Sequence, residues 1–247
     1  MNVSVILPTF REKENIAGMI RALDALHLNR LEIIVADDHS PDGTAEAAME
    51  TAGTVSTPVR VEQNPGPRGL SPSVVHGFAK ASGDVLVCMD ADGQHRPEDL
   101  PGLLAEFARN PAPALVVGSR HVPGGGFAEK WNFFRVMCSD GAAFAARLVL
   151  GVPLNDPMSG FFAVRREAYE RVAPHLSPVG FKIMLELAFL FTLTKRDGIV
   201  EHPITFAMRK HGESKLSGRV IFQYLAMLMR FVRTKKRIRR ELASARS

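Results

Sequence analysis

Cysteine is scarce in this chain of 247 residues, which contains only Cys88 and Cys138. The two lie at no metal-ligand spacing, and so few cysteines argue against a disulfide framework. Cys88 lies inside an apolar run, where we expect a packed thiol. The cysteine content therefore suits a protein of a reducing compartment.

Long apolar stretches are also missing from the sequence. No window holds about 18 uninterrupted apolar residues, the length that a membrane-spanning helix needs. Arg147 and Glu186 interrupt the two best candidates. The first residues, MNVSVILPTF, lack the basic start and long apolar stretch of a signal peptide. The sequence thus predicts a cytoplasmic protein without a membrane-spanning helix.

Charge is present in ordinary amount but is unevenly placed. The chain is 46% hydrophobic and 23% charged, as in a globular protein, and its formal net charge is +5. From Arg230 to Arg240, seven of eleven residues are Arg or Lys. A basic end of this kind binds nucleic acid, an anionic membrane or no partner at all.

Short apolar runs alternate with longer amphipathic stretches through the first half of the chain. This alternation indicates βαβ units and therefore a mainly parallel sheet flanked by helices. Continuous apolar strands agree with this, because parallel strands are buried on both faces. The predicted strands cover residues 3–8, 31–38, 59–64, 85–90 and 114–119, and the predicted helices cover 14–26, 41–52, 71–82 and 97–108.

The second half of the chain has a less regular pattern. It predicts a helix over 131–150, a strand over 157–166 and a buried helix over 184–194. The stretch after residue 217 is apolar first and basic afterwards, and part of it should pack on the domain. Repeats and low-complexity linkers are absent from the sequence.

Two acidic residues, Asp90 and Asp92, follow directly after the apolar run VLVCM. Ligands of parallel sheets bind beyond the carboxyl ends of the strands, so these acids are expected at a binding edge. Together with Gln94 they offer three oxygen donors, which suit Mg²⁺ or Mn²⁺. A solvated turn is the alternative, since Asp is common in turns. The position at a strand end favours the metal.

A second acidic pair, Asp37 and Asp38, follows the second predicted strand in the stretch ADDHSPDGT. Their side chains would point to opposite sides if the strand continued. One of them is expected to accept hydrogen bonds from a nucleobase or a ribose. Ser40 or Asp42 is expected to cap the next helix.

Eight stretches now match one family pattern in order, from residue 7 to residue 216. The chain resembles family 2 glycosyltransferases, which have the type A nucleotide-sugar-binding fold. Within them it is most similar to the branch of polyprenol-phosphate (dolichol-phosphate) mannose synthases. The matching stretches are LPTFREKENI, ADDHSPDGT, RGLSPSVVHGF, GDVLVCMDADGQH, VVGSRHVPGGG, DPMSGFFAVRR, GFKIMLEL and FAMRKHGESKL.

The resemblance implies a Rossmann-like α/β fold and a role for each matching residue. The catalytic residues would be Asp92, Arg120 and Arg209. The nucleotide sugar would be bound by Pro8, Thr9, Glu12, Asp37 or Asp38, Asp90 and Lys215. The divalent metal, Mg²⁺ or Mn²⁺, would be held by Asp90, Asp92 and Gln94, and the acceptor phosphate by Arg120, Arg135, Ser139 and Lys182.

The reaction implied by the resemblance is transfer of a sugar, mannose from GDP-mannose, to a polyprenyl monophosphate. The acceptor phosphate is already an anion near neutral pH, so we assign no general base and give His95 no role. Asp156, Ser159 and Gly160 of DPMSGFF would shape the acceptor side. Their alternative is a structural turn before a strand.

Two positions depart from the usual family pattern. His39 stands where the family commonly has Gly, which puts recognition of the base or ribose in doubt. Gly93 stands where Leu often follows the DAD triplet, and we expect it to loosen the metal-binding turn.

The resemblance also implies a catalytic domain over 1–216 and a C-terminal amphipathic, basic helical extension over 217–247. A lipid substrate requires contact with a bilayer, and we expect the cations of the extension to bind the cytoplasmic face of an anionic membrane.

Other functions remain open. The donor could be a UDP-sugar such as UDP-glucose, with another acceptor, or the chain could be a scaffold. A basic nucleic-acid-binding α/β module is opposed by the strand-end acids, so no nucleic acid is expected as a partner.

Overall fold

A computed structural model provides the structure of the chain. It describes residues 1–109, 112–128, 141, 146–180, 182–194, 198–207 and 218–244, with side chains of the last range from Tyr224 onward.

The first half folds as the βαβ alternation predicts. Each apolar run becomes a strand, and each amphipathic stretch between two runs becomes a helix. The strands are β1 (Val3–Thr9), β2 (Leu31–Asp37), β3 (Val59–Gln63), β4 (Val85–Cys88) and β5 (Leu115–Ser119), and the helices are α1 (Lys13–Asp24), α2 (Thr44–Ala52), α3 (Leu70–Lys80) and α4 (Leu100–Ala105).

The described part of the second half adds short strands and three further helices with defined bounds. Residues 146–150 are also helical, and most of the remainder of the helix predicted over 131–150 lies outside the described residues. We did not predict β6, β8 and β9, because two of them have only two residues and the third carries polar side chains. The strands are β6 (Gly126–Phe127), β7 (Phe162–Arg165), β8 (Ile199–Pro203) and β9 (Thr205–Phe206), and the helices are α5 (Arg166–Val172), α6 (Ile183–Thr194) and α7 (Gly218–Ser244).

Seven strands form one sheet in the order β3-β2-β1-β4-β7-β5-β8, and β6 and β9 pair separately. All neighbouring pairs of the large sheet are parallel except those of β7, which runs antiparallel to β4 and β5. The prediction of a mainly parallel sheet is therefore confirmed. Both faces of the sheet are covered: α3, α5, α6 and α7 contribute to one apolar cluster, and α1, α2 and α4 to the other.

Two predicted boundaries are wrong. Helix α2 begins at Thr44 rather than at residue 41, and Gly43, with a φ of 87°, is its N-cap residue. Ser40 does not cap it, because Ser40 bonds back to Asp37. Asp42 is not the N-cap residue, but its Oδ1 accepts from the backbone N–H of Thr44, the first helical residue, at 3.2 Å. The strand predicted over 157–166 is confined to β7, because the residues before Phe162 form a turn.

Part of the C-terminal stretch packs on the domain, as predicted. Helix α7 lies against α6, where the Phe231 and Phe189 rings stack with centroids 4.6 Å apart. Arg230 Nη2 donates to Glu186 Oε1 at 2.6 Å, so the one buried acid of α6 is paired with α7. Among the described helices, none is both long and apolar enough to cross a bilayer.

Candidate active site

The carboxyl ends of three neighbouring parallel strands form one edge of the sheet. Strand β1 lies between β2 and β4, and the three strands end at Thr9, Asp37 and Cys88. Pro8 and Thr9 are the last two residues of β1 and are both buried. The acidic pairs predicted for a binding site follow β2 and β4 at this edge, where ligands of open α/β sheets bind.

Asp37 is fully engaged in holding the loop after β2. Its Oδ1 accepts from Thr9 Oγ1 at 2.9 Å and from Ser40 Oγ at 2.6 Å, and its Oδ2 accepts from the Ser40 backbone N–H at 2.8 Å. The side chain is buried. Asp37 therefore ties the ends of β1 and β2 together and has little capacity left for a ligand.

Asp38, in contrast to Asp37, uses only one of its carboxylate oxygens for hydrogen bonds among the described residues. Its Oδ2 accepts from the Gly69 backbone N–H at 3.0 Å, while its buried Oδ1 has no hydrogen-bond partner in the described part of the chain. A buried carboxylate oxygen without a donor is costly, and such atoms usually meet a ligand or water. Of the two acids, Asp38 is the one prepared to accept from an N–H or O–H group.

His39, which stands where the family commonly has Gly, lies in the loop after β2 in a conformation typical of glycine. His39 adopts a φ of 56°, a left-handed conformation that glycine adopts more easily. Its Nε2 lies 2.8 Å from the Asn64 backbone carbonyl, a contact that glycine could not make. His39 therefore keeps the backbone shape that a glycine would give. Nearby, Glu12 precedes α1 and accepts from Asn15 Nδ2 at 2.9 Å.

The turn after β4 carries Asp90, Asp92 and Gln94. Asp92 is buried and its Oδ1 accepts from the Gln94 backbone N–H at 3.0 Å, whereas the Asp90 side chain is 33% exposed. Gly93 adopts a φ of 79°, which a leucine would adopt only with strain. A glycine therefore suits the backbone of this turn, and the loosening that we expected from it stays a prediction.

The donors of this turn fit a hard divalent ion. Two carboxylates and one amide oxygen are ligands that Mg²⁺ and Mn²⁺ accept, with further positions left to phosphate and water. A long hydrogen bond of 3.4 Å from Gln94 Nε2 to the Ala207 carbonyl orients the amide. Clusters of three or more His, Cys, Asp or Glu suited to a metal do not occur among the described residues, so a complete all-protein cage is not indicated there.

Arg120 makes a bidentate ion pair with Asp156. Its Nε donates to Asp156 Oδ2 at 2.6 Å and its Nη2 donates to Oδ1 at 2.7 Å, and the Arg120 backbone N–H also donates to Oδ2 at 3.1 Å. Burial alone would raise the pKa of Asp156, but the hydrogen bonds and charge of Arg120 hold this pKa below its usual range. The pair fixes the guanidinium at the end of β5.

Further groups hold this pair in place. The Arg120 guanidinium lies 5.4 Å from the Phe127 ring and 5.0 Å from the Phe206 ring, both cation–π distances. Glu201 on β8 accepts from the Asp156 backbone N–H at 2.8 Å. The sequence did not identify Glu201 or the two phenylalanines, since they come from strands that we did not predict.

The pKa of Lys182 depends on charges of both the acidic turn and the Arg120 pair. Its pKa is lowered, first by burial and then by the positive charge of Arg120, while Asp90 and Asp156 oppose the shift. The Phe206 ring, 5.3 Å from the His95 ring and 5.0 Å from the Arg120 guanidinium, makes the turn after β4 and the Arg120 pair neighbours. Ser159 and Gly160 form the turn before β7, in which the Phe161 backbone N–H donates to Ser159 Oγ at 3.2 Å.

Four predicted site residues lie outside the described residues. They are Arg135, Ser139, Arg209 and Lys215, and their roles stay predictions.

Comparison with known proteins supports one family. Residues 4–173 match glycosyl transferase family 2. A dolichol-phosphate mannosyltransferase of Pyrococcus furiosus is 44% identical over 236 residues, which are 94% of this chain and 64% of that protein. A dolichol-phosphate mannosyltransferase of Saccharomyces cerevisiae is 40% identical over 235 residues, which are 91% of this chain and 85% of that protein.

A solved structure supports the fold. The glucosyl-3-phosphoglycerate synthase of Mycobacterium tuberculosis, in complex with Mn²⁺, UDP-glucose and phosphoglyceric acid, aligns with a TM-score of 0.68. The alignment covers 92% of this chain and 78% of that chain, at 23% identity, and therefore bears on the fold alone. It confirms the predicted type A nucleotide-sugar transferase fold. With the match over residues 4–173 and the identity to the yeast protein, the chain belongs to glycosyl transferase family 2.

Proposed function

We propose that this protein transfers mannose from GDP-mannose to a polyprenyl monophosphate, with inversion at the anomeric carbon. The observation that carries the proposal is the packing of the acidic turn beside Arg120: the Phe206 ring lies 5.3 Å from the ring of His95, which belongs to that turn, and 5.0 Å from the Arg120 guanidinium. A turn suited to a metal diphosphate therefore lies next to a cation suited to a second phosphate. The names of the relatives supply the sugar and the lipid. Because the chain spans 64% of the Pyrococcus furiosus protein, the activity of those relatives is a proposal for this chain.

The donor would lie across the carboxyl ends of β1, β2 and β4. Pro8, Thr9 and Glu12 would border the nucleoside, and Asp38 would accept a hydrogen bond from the base or ribose through Oδ1. The observation in favour of Asp38 is its buried oxygen without a partner among the described residues. Asp37 would act indirectly by holding the loop.

The divalent cation would be held by Asp90, Asp92 and Gln94, next to the donor diphosphate. When bound, Mg²⁺ or Mn²⁺ would neutralise charge that develops on the leaving diphosphate. Asp92 would keep a fixed orientation through its hydrogen bond to the Gln94 backbone.

The acceptor phosphate would be bound by Arg120 and Lys182, with Arg135 and Ser139 beside it and Arg209 and Lys215 at the diphosphate. Asp156 accepts hydrogen bonds from Nε and Nη2 of Arg120. The Nη1 donors of the guanidinium would then bind the phosphate. A phosphate oxygen would form the new bond to the anomeric carbon while the bond to GDP breaks. The nucleophile is already ionised, so no residue needs to remove a proton.

The direct test is transfer of radiolabelled mannose from GDP-mannose to a short polyprenyl phosphate, with Mg²⁺, with Mn²⁺ and with a chelator. We expect an organic-soluble mannolipid that depends on the metal. Product from UDP-glucose but not from GDP-mannose would keep the site and reject the donor. Absence of product with every donor would reject the proposal.

Asp38 and Asp37 should differ when each is replaced by asparagine. In Asp38→Asn the Oδ1 position can become a donor, so we expect KM for GDP-mannose to rise about tenfold or more, equivalent to one charge-assisted hydrogen bond. In Asp37→Asn the loop should be destabilised, with a lower melting temperature. Steady-state kinetics and thermal unfolding of both variants check this. Equal KM effects at equal stability would contradict the division of roles.

The exposed face of α7 supports peripheral contact with the cytoplasmic face of an anionic membrane. Leu225, Met229 and Val232 are each at least half exposed and lie at helical spacing. Arg233 and Lys236 continue the same face as cations, so one side of the helix is apolar first and basic afterwards. Such a face suits a bilayer with anionic headgroups.

Vesicle flotation tests this contact. Neutralising Arg233, Lys236 and Arg240 to glutamine should abolish most flotation with anionic liposomes, because each cation contributes about 1 kcal/mol near such a surface. The control neutralises three exposed cations elsewhere, Arg21, Arg30 and Lys80. Equal flotation of the two triple variants would reject α7 as the binding face.

A further inference from the structure

His95 is buried directly beneath the turn that carries Asp90. Its side chain is 1% exposed, and its Nδ1 accepts a hydrogen bond from the Asp90 backbone N–H at 3.0 Å. The same nitrogen lies 3.8 Å from Asp90 Oδ2. One ring atom therefore binds the backbone of Asp90 and lies next to its carboxylate without a hydrogen bond to it.

This hydrogen bond defines the state of the imidazole. A nitrogen that accepts from an amide N–H carries no proton, so the neutral ring has its proton on Nε2. His95 thus serves as an acceptor for the turn. It needs no role as a general base, because the phosphate acceptor is already an anion.

Aromatic side chains hold the ring on two sides. The His95 ring centroid lies 5.5 Å from that of Phe161 and 5.3 Å from that of Phe206. Phe206 also lies 5.0 Å from the Arg120 guanidinium. These contacts fix the imidazole, and Phe206 connects it by side-chain packing to Arg120.

Gly160 completes the enclosure of Asp90. A Cβ at residue 160 would lie 2.7 Å from Asp90 Oδ2 and 3.2 Å from His95 Cε1. Both distances are shorter than ordinary contacts, so any larger side chain would displace Asp90 or His95. The carboxylate of Asp90 is thus bounded by His95 on one side and by the backbone of Gly160 on another.

We propose that His95 is the positioning residue of the metal-binding turn: its Nδ1, together with the close approach of Gly160, sets the orientation of Asp90 toward the divalent ion. The inference rests on the proposed function, because it takes Asp90 as a metal ligand. Groups that orient a ligand contribute to metal affinity even though they do not touch the ion.

The test measures metal binding directly, by titrating Mn²⁺ in the presence of GDP and following free Mn²⁺ by electron paramagnetic resonance. His95→Phe keeps a ring but loses the acceptor, and we expect the apparent Kd for Mn²⁺ to rise about tenfold or more. His95→Asn places an amide oxygen near the position of Nδ1, so it should restore most of the affinity. Gly160→Ala should weaken Mn²⁺ as His95→Phe does.

A control separates positioning from stability. Leu23→Val alters a buried residue of α1 and should lower the melting temperature without changing the Kd for Mn²⁺. Folded His95→Phe with wild-type Mn²⁺ affinity would overturn the proposal, and if His95→Phe does not fold, wild-type affinity in Gly160→Ala would do so. Failure of the wild type to bind Mn²⁺ with either GDP or UDP would reject the proposed function as well.

Discussion

Replacing Asp92 by asparagine is expected to lower mannose transfer by at least about 10³-fold, because loss of charge stabilisation at a leaving group costs several kcal/mol of transition-state energy. The variant keeps the size of the side chain and an oxygen that can accept from the Gln94 backbone N–H. The turn should therefore keep its shape while losing one negative charge. We expect the loss in kcat, with little change in the melting temperature.

The matched control is Asp84→Asn, which makes the same substitution at the opposite end of β4. Asp84 is exposed and accepts from the Asn2 backbone N–H at 2.8 Å. Its replacement should leave transfer within about twofold of wild type, since exposed substitutions have small effects. Transfer rates of the three proteins at saturating Mg²⁺ provide the measurement. An Asp92→Asn enzyme as active as Asp84→Asn would exclude Asp92 as a metal ligand.

Replacing Asp156 by asparagine is expected to affect both stability and acceptor binding. The change removes the negative charge opposite a largely buried Arg120, and breaking such a pair costs about 3–5 kcal/mol of unfolding free energy. An asparagine can still accept one hydrogen bond, but its NH₂ group would face a donor of the guanidinium. Arg120 should therefore lose its fixed position, and KM for polyprenyl phosphate should rise more than KM for GDP-mannose.

The pH dependence follows from the pKa of Asp156. Because Arg120 holds the folded-state pKa of this acid below that of an aspartate in the unfolded chain, which is about 3.9, its charge contributes fully to stability above the unfolded-state pKa, and this contribution is lost as pH falls through the folded-state pKa. The difference in unfolding free energy between wild type and Asp156→Asn should thus be constant from pH 7 to about pH 5. It should shrink below about pH 4.

Urea unfolding at several pH values checks this prediction. Glu167→Gln is the control, because Glu167 forms an exposed pair with Arg171 at 3.2 Å on α5. Exposed helical pairs contribute about 0.3–0.5 kcal/mol, so the control should barely change the urea midpoint. If Asp156→Asn were no more destabilising than Glu167→Gln, the Arg120 pair would not fix this part of the site.

The order of the first elements and the edge that carries the site could be predicted from the sequence. Strands buried on both faces are continuous apolar runs, and their boundaries with amphipathic helices are local features. Asp37, Asp38, Asp90 and Asp92 follow such runs directly, so their shared edge follows from parallel pairing alone. The ordered motifs, from LPTFREKENI to FAMRKHGESKL, indicated the family for the same local reason.

The different roles of the two adjacent acids Asp37 and Asp38 could not be predicted in this way. Asp37 and Asp38 are adjacent in sequence, yet Thr9 and Ser40 bind the first and Gly69 binds the second. Whether an acid holds a loop or faces a ligand depends on donors that come from other elements. The sequence therefore predicted the pair but could not distinguish its members.

The sequence by itself determined the first five strands, their mainly parallel pairing and the sheet edge at which the acids lie, because these depend on short-range periodicity and on residues next to strand ends. Only the tertiary structure decided which groups hold those acids and cations. Arg120 meets Asp156 across 36 positions, and His95 is enclosed by Phe161, Gly160 and Phe206. Contacts between such distant segments form only when β7 and β9 pack beside β5 and the turn after β4, so side-chain orientation in this site is a property of packing.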